Sequence, residues 1–525
     1  MKNLYFALLS GILFALSWPT YGFPLFLFVA FVPVLWNEYQ LRNSYRSHWK
    51  VLGYSYISFF IFNLATTWWL FYATPFGMSF AVLANSLLMS LVVVIYHKIT
   101  KRIDEKSSWV VLVCLWLGFE KFHLNWELSW PWLNLGNGFA SYYKWVQWYE
   151  YTGVFGGSLW VWVVNIILTK AVLTFQKNKD SKLLISKIIA AVSIVCIGIF
   201  SSLYIYHTRP SLQPNLDVAV LQPNLDPYTE KYQTDNVSMA KDLISLTATK
   251  IDSTLSIVIA PETTFSKPRY LNSFQNTPEF KLLKNYFNQY PNTSLLSGIT
   301  FIKAFSENQT PNATANYFRN SNKWYNSYNS SFFINEKSGF KYYHKSKLVV
   351  GVEHTPYRSV LKPLLKNAMI DLGGEISTLS TQKERYVFAT AKNTVAPIIC
   401  YESVYGSYVT DYVKKGADFL AIITNDAWWD TSQGHKQHLS LARLRAIENR
   451  RGIARSANTG ISALIDEKGN LIQSLPYGEK GILRGKIPQN TETTYYTTNG
   501  DYIFRVAMFT LILILFTSFT RRKGN

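Results

Sequence analysis

Charged residues are scarce in this chain, and their scarcity excludes an ordinary soluble protein. Asp, Glu, Lys and Arg make up 16% of the 525 residues, against roughly 25% in a typical soluble domain. A disordered chain is also excluded, because that class is poor in aromatic and apolar residues, whereas this chain is 48% hydrophobic and has 17 Trp, 34 Tyr and 34 Phe. The composition therefore indicates that part of the chain lies in a membrane.

Cysteine is scarcer still, which excludes two kinds of structural site. Cys114, Cys196 and Cys400 lie far apart in the sequence, whereas a disulfide framework or a structural zinc site needs clustered cysteines. A glycine-rich phosphate loop after a strand is missing too, which argues against a nucleotide-driven step. Cys400 is the one cysteine outside the long apolar segments, and a thiol alone in its domain suggests a chemical role.

Long apolar stretches predict a membrane domain that crosses the bilayer repeatedly. A crossing helix needs about 20 apolar residues, and flanking Trp and Tyr can extend a shorter one into the interface. The sequence predicts eight such helices, at 4–17, 23–36, 51–72, 79–96, 109–122, 157–175, 183–206 and 502–519. The first could be misread as a cleavable signal ending at Ala15-Leu16-Ser17, but Pro19 and the next apolar stretch follow at once and favour a helical hairpin.

The formal net charge of +20 could indicate nucleic-acid binding, but much of the basic excess flanks the apolar stretches. On one side of the predicted membrane lie Lys2, Arg42, Arg46, Lys50, Lys98, Lys101, Arg102, Lys106, Lys170, Lys177, Lys179, Lys182, Lys187, Arg521, Arg522 and Lys523. The other side has Lys121, Lys144, Arg209 and Arg505. By the positive-inside rule both termini are cytoplasmic. No nucleic-acid partner is predicted.

This topology predicts three parts of the chain. Residues 1–211 form a membrane domain of seven transmembrane helices, and an odd number of crossings places residues 212–500 outside the cytoplasm. Residues 501–525 form a last transmembrane helix with a basic cytoplasmic tail. The connection at 125–151 is rich in Trp and nearly free of charge, which predicts an aromatic interface belt that could also contact lipid head groups beneath the outer domain.

The outer part alternates short β-branched runs with helical patterns, which predicts one α/β domain. The predicted strands are 217–221, 256–260, 294–302, 330–334, 395–400, 419–424, 461–465 and 482–486, and the predicted helices include 235–250 and 435–451. The segment 301–343 is dense in Asn, Ser and Tyr. It predicts long loops with interfacial aromatics rather than core.

Three predicted strand ends present reactive side chains. Glu262 follows an apolar strand that ends at a proline, Lys345 precedes Glu353 by eight residues, and Cys400 ends a strand of the buried type. Taken singly, Glu262 fits a turn or cap, Lys345 a solvated surface lysine, and Cys400 a small core residue. Together they supply a base, an oxyanion cation and a nucleophile, the groups that acyl transfer through a thiol requires.

These motifs, in this order, resemble the nitrilase (carbon-nitrogen hydrolase) superfamily, and the eight-helix frame narrows the resemblance to the apolipoprotein N-acyltransferases. The resemblance covers nearly the whole chain. It also includes Leu221-Gln222-Pro223-Asn224, Thr424-Asn425-Asp426-Ala427-Trp428-Trp429, the run from Arg443 to Arg451, and the run from Arg455 to Ser462. It implies a nitrilase-like αββα sandwich as the outer domain, periplasmic and anchored in a bacterial inner membrane.

Carried over to this sequence, the resemblance implies Glu262 as general base, Lys345 as oxyanion stabiliser and Cys400 as nucleophile. Glu353 and Glu402 would be supporting carboxylates, the Tyr401 backbone N–H would complete the oxyanion hole, and Trp428 would lie near the acyl chain. Two positions depart from the family pattern. A loop that often reads Pro-Phe-Gly-Glu is Val350-Gly351-Val352-Glu353 here, and Tyr232 stands where a Trp often contacts lipid.

The family reaction moves an acyl chain from a phospholipid, expected to be phosphatidylethanolamine, to the α-amine of a diacylglyceryl-cysteine on an apolipoprotein, by ping-pong through a thioester. The nearby base and lysine are expected to raise the supply of Cys400 thiolate. An α-amine has a pKa of about 7.7 to 8.0, against about 10.4 for a lysine side chain, so a useful neutral fraction exists at neutral pH. The resemblance implies a monomer without metal or cofactor.

Two other functions remain open from the sequence. A membrane-anchored amidase would use the same three residues with water as acceptor. A transporter or receptor with an inert sensor domain should have charges that line an intramembrane path. Glu120 and Lys121 lie near one segment end, and Lys170, Lys187 and Arg505 belong to the flanking basic residues counted above, so no such path is predicted. His435 and His438, near Asp426 and Asp430, could suggest a metal, but they fit a helix entry better.

Overall fold

The computed structural model describes residues 1–306, 309–318, 322–337, 339–357 and 378–523. Its N-terminal part is helical. The helices are α1 (Lys2–Ser17), α2 (Leu27–Ala30), α3 (Val32–Leu41), α4 (Ser47–Thr67), α5 (Leu70–Ala73), α6 (Pro75–Thr100), α7 (Glu105–His123), α8 (Tyr149–Thr152), α9 (Val154–Asn178) and α10 (Ser181–Thr208). A further helix, Tyr502–Lys523, follows the outer domain. Each of the eight predicted apolar stretches lies in helical structure.

Four spans within the described residues are long and apolar enough to cross a membrane by length and composition. They are Pro24–Leu41, Pro75–Thr100, Val154–Asn178 and Ser181–Thr208. Lys2–Ser17 and Tyr502–Ser518 are shorter apolar helices. Large apolar side chains such as Ile197, Phe200 and Phe516 are more than 60% exposed, an outward surface that suits lipid better than water. That all eight helices cross stays a prediction.

The described residues of the outer domain form strands with further helices between them. The strands are β1 (Pro214–Gln222), β2 (Ile257–Ile259), β3 (Phe265–Tyr270), β4 (Ser294–Ala304), β5 (Asn316–Phe318), β6 (Lys323–Asn335), β7 (Gly339–His344), β8 (Phe388–Ala389), β9 (Thr394–Ile399), β10 (Phe419–Thr424), β11 (Ile453–Ala457), β12 (Ser462–Ile465), β13 (Leu471–Leu475) and β14 (Gly481–Pro488). The helices are α11 (Asn236–Ala248), α12 (Pro278–Phe287), α13 (Gly406–Lys414) and α14 (Gln433–Asn449). A short helix α15 (Tyr495–Asn499) leads into α16 (Tyr502–Lys523).

The strands form two sheets. The first has the order β14-β1-β2-β4-β6-β5, with β3 also paired to β4 and β7 to β6, and the second has the order β13-β12-β11-β10-β9-β8. The central strands run parallel, β1 with β2 and β4 in one sheet and β9 with β10 and β11 in the other. Both sheets are antiparallel at their edges.

Alternating side chains of the first sheet separate two cores. Val218, Val220 and Ile257 share a core with Ile398 and Ile422 of the second sheet. Their neighbours Ala219, Leu221 and Val258 face α11 and α12 in the other core. Since α13 contacts β9 and side chains of α14 join the core cluster of the second sheet, the domain has four layers, helices on two facing sheets. This is the αββα arrangement that the resemblance implied.

The Trp-rich connection lies beneath this domain and contacts it. Trp132 is 2% exposed, packs on Trp69 and Trp429, and donates from Nε1 to Gln437 Oε1 at 2.7 Å. Deeper in the interface, Arg450 of the turn after α14 donates to Glu150 Oε2 at 3.0 Å. Much of the connection is therefore interdomain packing rather than a belt alone.

The strand predicted at 330–334 is confirmed, but the long loops predicted around it in 301–343 are wrong in part of the described residues. β6 already begins at Lys323 and β7 follows it, and Asn326, Ser327 and Asn329 on β6 are at most 7% exposed. The Asn and Ser residues of β6 interrupt the apolar pattern that predicts a strand, although they are buried and hydrogen-bonded. Asn335 Nδ2, for example, donates to Ser294 Oγ at 2.9 Å. The other predicted strands and the two predicted helices are confirmed, with ends that shift by a few residues.

Candidate active site

Cys400 lies at the carboxyl end of β9, where the chain turns into a short 3₁₀ helix, Cys400–Val404. Its φ of 48° is in the left-handed region that a non-glycine residue rarely adopts. The turn is held by hydrogen bonds: Ser403 Oγ donates to the Cys400 carbonyl at 2.7 Å, and Ile399 N donates to Glu402 Oε2 at 2.9 Å. The side chain of Cys400 is buried, with 8% exposure.

Glu262 follows β2 at the same edge of the fold, in a turn that needs a glycine beside it. A Cβ at Gly298 of β4 would lie 2.4 Å from Thr263 N and 2.7 Å from Glu262 Cα, so only glycine lets the turn approach β4 this closely. The carboxylate accepts hydrogen bonds on both oxygens, from Asn329 Nδ2 to Oε1 at 2.7 Å and from Asn425 N to Oε2 at 3.1 Å.

Lys345 follows β7 and is 1% exposed, not a surface lysine. Its Nζ lies 2.8 Å from Glu262 Oε1 and 2.9 Å from Glu353 Oε2. Asn329 joins the same group, since its Nδ2 also donates to Glu353 Oε1 at 2.8 Å. The structure thus brings Glu262, Lys345 and Glu353 into one hydrogen-bonded cluster.

The charges of this cluster determine the protonation states. Burial alone would raise the pKa of Glu262, but the charges of Lys345 and Lys231 and the hydrogen bonds hold it below its ordinary value. Burial opposes the charge of Lys345, yet Glu262 and Glu353 raise its pKa well above the usual range. Burial and the Glu262 carboxylate raise the pKa of Cys400, against the effect of Lys345. The resting site therefore holds a carboxylate, an ammonium and a neutral thiol.

This result changes one expectation from the sequence. The neighbours of Cys400 do not supply thiolate at rest, because burial raises the pKa of the thiol more than Lys345 lowers it. Cys400 is nevertheless near enough to Glu262 and Lys345 for their charges to act on it. The arrangement therefore suits removal of the proton by a base during attack rather than before it.

Glu402 lies elsewhere, behind the Cys400 turn. Its Oε1 accepts hydrogen bonds from Tyr343 OH at 2.6 Å, Ser346 N at 2.7 Å and Tyr408 OH at 2.8 Å. It is fully buried. Glu402 thus joins the segment after β7 to the turn after β9, and it supports the positions of Lys345 and Cys400 from behind.

The three aromatic residues predicted at the site fall into two groups, Tyr401 by itself and Tyr232 with Trp428. Tyr401 is buried, and its OH donates to the Ser129 carbonyl of the Trp-rich connection at 3.0 Å. Tyr232 is 42% exposed, and its ring lies 6.3 Å from that of Trp428. Tyr228 completes this group, with its ring 5.3 Å from Trp428 and its OH donating to the Tyr72 carbonyl of the membrane part. The group forms an aromatic wall toward the membrane helices.

A second polar cluster lies beside Cys400. His438 Nδ1 lies 3.1 Å from Asp426 Oδ1, and Arg455 Nη2 donates to Asp426 Oδ2 at 2.5 Å. Ligand atoms of Cys400, Asp426 and His438 lie within 4.8 Å of one another, so a metal ion is conceivable by atom type. The Arg455 guanidinium, however, already supplies a cation to Asp426 and lies 3.2 Å from His438 Nδ1. The cluster fits an internal ion pair better than a metal centre.

Sequence reasoning missed two residues of the site. Asn329 bridges Glu262 and Glu353, and Lys231 donates from Nζ to the Glu262 carbonyl at 3.0 Å. Asn329 stood in the segment predicted to be loops. Lys231 precedes Tyr232, a position that the resemblance assigns to lipid contact. That neighbour was the one sequence feature that could have indicated Lys231.

Comparison with known sequences agrees with this geometry. The sequence model of the carbon-nitrogen hydrolase family matches residues 217–496, more than half of the chain. The chain belongs to the carbon-nitrogen hydrolase family. The match covers Glu262, Lys345 and Cys400 and nearly all of the outer domain.

Matches to the N-terminal part and to the full length of the chain agree with the resemblance to the apolipoprotein N-acyltransferases. A model described as the apolipoprotein N-acyltransferase N-terminal domain matches residues 10–167. A protein named apolipoprotein N-acyltransferase from Chlorobaculum tepidum is 28% identical over 522 residues, 97% of this chain and 95% of the relative. Apolipoprotein N-acyltransferase 1 from Treponema denticola is 26% identical and covers 99% of this chain and 98% of the relative. The resemblance drawn from the motifs is confirmed.

Proposed function

We propose that this chain transfers an acyl chain from a membrane phospholipid to the α-amine of the N-terminal diacylglyceryl-cysteine of apolipoproteins. The observation that carries the proposal is the buried cluster of Glu262 and Lys345 beside the Cys400 thiol, next to an aromatic wall that reaches the membrane helices. The similarity over the full length to proteins named apolipoprotein N-acyltransferase supports the proposal.

In the first half-reaction Cys400 is the nucleophile. Its sulfur attacks the ester carbonyl of the phospholipid while the thiol proton passes to the Glu262 carboxylate. The oxyanion is stabilised by the Lys345 ammonium and by the Tyr401 backbone N–H. The bond to the glycerol oxygen then breaks, that oxygen takes the proton from Glu262, and a lysophospholipid leaves a thioester on Cys400.

In the second half-reaction the neutral α-amine attacks the thioester carbonyl. The C–S bond breaks, and the amine proton returns through Glu262 to the sulfur, which regenerates the thiol. Glu353 keeps Lys345 in place through the contact at 2.9 Å, and Glu402 supports the Cys400 turn. Tyr232 and Trp428 contact the acyl chain. No metal or cofactor takes part, because the phospholipid ester is already activated.

The proposed setting is a bacterial inner membrane. Residues 1–211 supply seven crossings, residues 212–500 form the periplasmic catalytic domain, and residues 501–525 return the chain to the cytoplasm. Phosphatidylethanolamine is the proposed donor and a monomer the proposed state. The outward apolar side chains of α10 and α16 and the basic residues at the predicted cytoplasmic ends support this arrangement.

The test is direct detection of the covalent intermediate. Purified protein in detergent is incubated with phosphatidylethanolamine of one acyl composition, and its intact mass is measured. We expect an increase by one acyl group that maps to Cys400 by peptide analysis. Acylation elsewhere, or none with any phospholipid, would contradict the proposal.

A further inference from the structure

Lys231 is a second buried lysine at the site, and the proposed mechanism gives it no role. It is 1% exposed and lies in the turn segment between β1 and α11. Its backbone is fixed on both sides, because its N donates to the Asp226 carbonyl and its carbonyl accepts from Ser266 Oγ, both at 2.8 Å. The side chain is therefore held in a defined direction, toward Glu262.

The Nζ of Lys231 donates to the main-chain carbonyl of Glu262 at 3.0 Å, and it lies 3.1 Å from the side-chain oxygen of Asn425 in the amide orientation that satisfies the neighbours of Asn425. Neither acceptor is a carboxylate. Burial lowers the pKa of Lys231 to about 8, although the charges of Glu262 and Cys400 favour the ammonium. Placing a charged group in such a site costs free energy, and a neutral amide with two N–H donors could satisfy two uncharged oxygens equally well. The charge itself therefore needs an explanation.

We propose that Lys231 is a positioning residue of the acyl transfer, whose ammonium fixes the Glu262 turn and, together with Lys345, favours the ionised forms of Glu262 and Cys400. The inference rests on the proposed function. The hydrogen bond to the Glu262 carbonyl acts on the position of the base, and the charge acts on its protonation. Removal of the charge alone should thus change the chemistry without changing the fold.

The test measures ionisation at Cys400 without any lipid substrate. The rate of Cys400 alkylation by iodoacetamide is followed against pH on the full-length protein in detergent, with the modified residue identified by peptide mass. The charged or titratable groups that face Glu262 and Cys400 here are Lys231, Lys345, Tyr232, Asp426 and His438, with Glu353 on Lys345 and Arg455 on Asp426. Only the first is changed.

Three variants separate the hydrogen bond from the charge. Lys231→Gln keeps an amide donor and removes the charge, Lys231→Arg keeps a charge, and Lys267→Met is the matched control. Lys267 also donates from Nζ to a backbone carbonyl, that of Tyr232, but nearer the surface. We expect Lys231→Gln to move the midpoint of the alkylation profile to higher pH by about one unit or more. In Lys231→Arg the midpoint should return part of the way to the wild-type value, and in Lys267→Met it should equal the wild-type value.

An unchanged midpoint of the alkylation profile in Lys231→Gln would overturn the proposal, even if the alkylation rate changes. A lysine with a structural role alone would change the rate and the melting temperature without moving the midpoint. If Lys231→Gln does not fold, Lys231→Met, which also removes the charge, decides in the same way, with Lys231→Arg as the comparison that keeps the charge. Acyl-enzyme formation from phosphatidylethanolamine is measured in parallel and should fall roughly tenfold or more at pH 7 in Lys231→Gln. A shifted midpoint with no acylation even in wild type would refute the proposed function and leave the role of Lys231 standing.

Discussion

The backbone at Cys400 holds the thiol in a left-handed turn at the end of β9, where the 3₁₀ helix and the Ser403 hydrogen bond fix its direction. Strain of this kind persists only where the surrounding structure imposes it, and it is common at reactive residues. Because a hydroxyl has a far higher pKa than a thiol, we expect Cys400→Ser to have no detectable turnover in an acyl-transfer assay. Turnover retained in a folded Cys400→Ala protein would refute the assignment of the nucleophile.

In the proposed mechanism Lys345 acts on both the oxyanion and the base. Lys345→Met should lower kcat/KM by roughly 10²- to 10³-fold, the scale for loss of one oxyanion donor. It also removes the charge that holds the pKa of Glu262 down, so the acidic limb of the kcat/KM profile should move to higher pH. Lys347→Met serves as a control, since that lysine contacts the Leu124 carbonyl and the Tyr405 ring instead. Equal losses in both variants would contradict the role of Lys345.

At the residue scale, the sequence could predict those reactive side chains that follow apolar strands. Glu262 and Cys400 each stand at such a position, after strands that pair in parallel with their neighbours. Lys345 instead follows β7, a largely polar strand paired antiparallel to β6, and it was singled out by its spacing to Glu353 and by the resemblance. Asn329 and Lys231 could not be found in this way, because one lies within a strand of polar appearance and the other in an irregular turn. Their roles depend on contacts between segments distant in the sequence.

At the element scale, the approach of the Glu262 turn to β4 depends on Gly298. Gly298→Ala would place a Cβ 2.5 Å from the Pro261 carbonyl, so the turn must move away and take the carboxylate with it. We expect a loss of acyl-enzyme formation of roughly 10²-fold from this displacement. Gly339→Ala is the comparison. A Cβ at Gly339 meets nothing within 4 Å, and its φ of 69° is strained for alanine, so this variant should affect folding more than chemistry. Full activity in Gly298→Ala would contradict this account of the turn.

The turn after α14 joins the catalytic domain to the membrane part through a buried ion pair. Arg450 is fully buried and contacts Glu150 and Gln147, and Arg209 also contacts Glu150. Because Arg450→Met leaves a buried carboxylate with one partner fewer, it should destabilise the protein by about 3–5 kcal/mol. Thermal unfolding in detergent measures this, and the double variant with Glu150→Gln should recover part of the loss. No recovery would show that the ion pair is not the cause.

The elements themselves were predictable where their apolar pattern was continuous. β10 matches its predicted bounds, whereas β7 and most of β6 were missed. Polar residues on β6 are buried by pairing with neighbouring strands, and such pairing is not visible in a local window. α14 is a similar case, since a predicted apolar face turned out to be a helix buried on nearly all sides, Arg445 included.

At the scale of the whole molecule, the positive-inside pattern predicts which side the catalytic domain faces. Single cysteines introduced at exposed Ser273 and Asn43 should differ in their reaction with a membrane-impermeant maleimide applied to intact spheroplasts. We expect Ser273→Cys to react from outside and Asn43→Cys only after the membrane is opened. The reverse result would contradict the proposed topology and the periplasmic site.

The central claim is that the acyl chain goes to an amine and not to water. With phosphatidylethanolamine alone, an acyl-enzyme that neutral hydroxylamine discharges should accumulate slowly. A diacylglyceryl-cysteine peptide with a free α-amine should discharge it rapidly, and the N-acetylated peptide should not, because acetylation removes the nucleophilic lone pair. Release of free fatty acid at the same rate with and without the free peptide would make the protein a membrane-anchored amidase-type hydrolase and contradict the account.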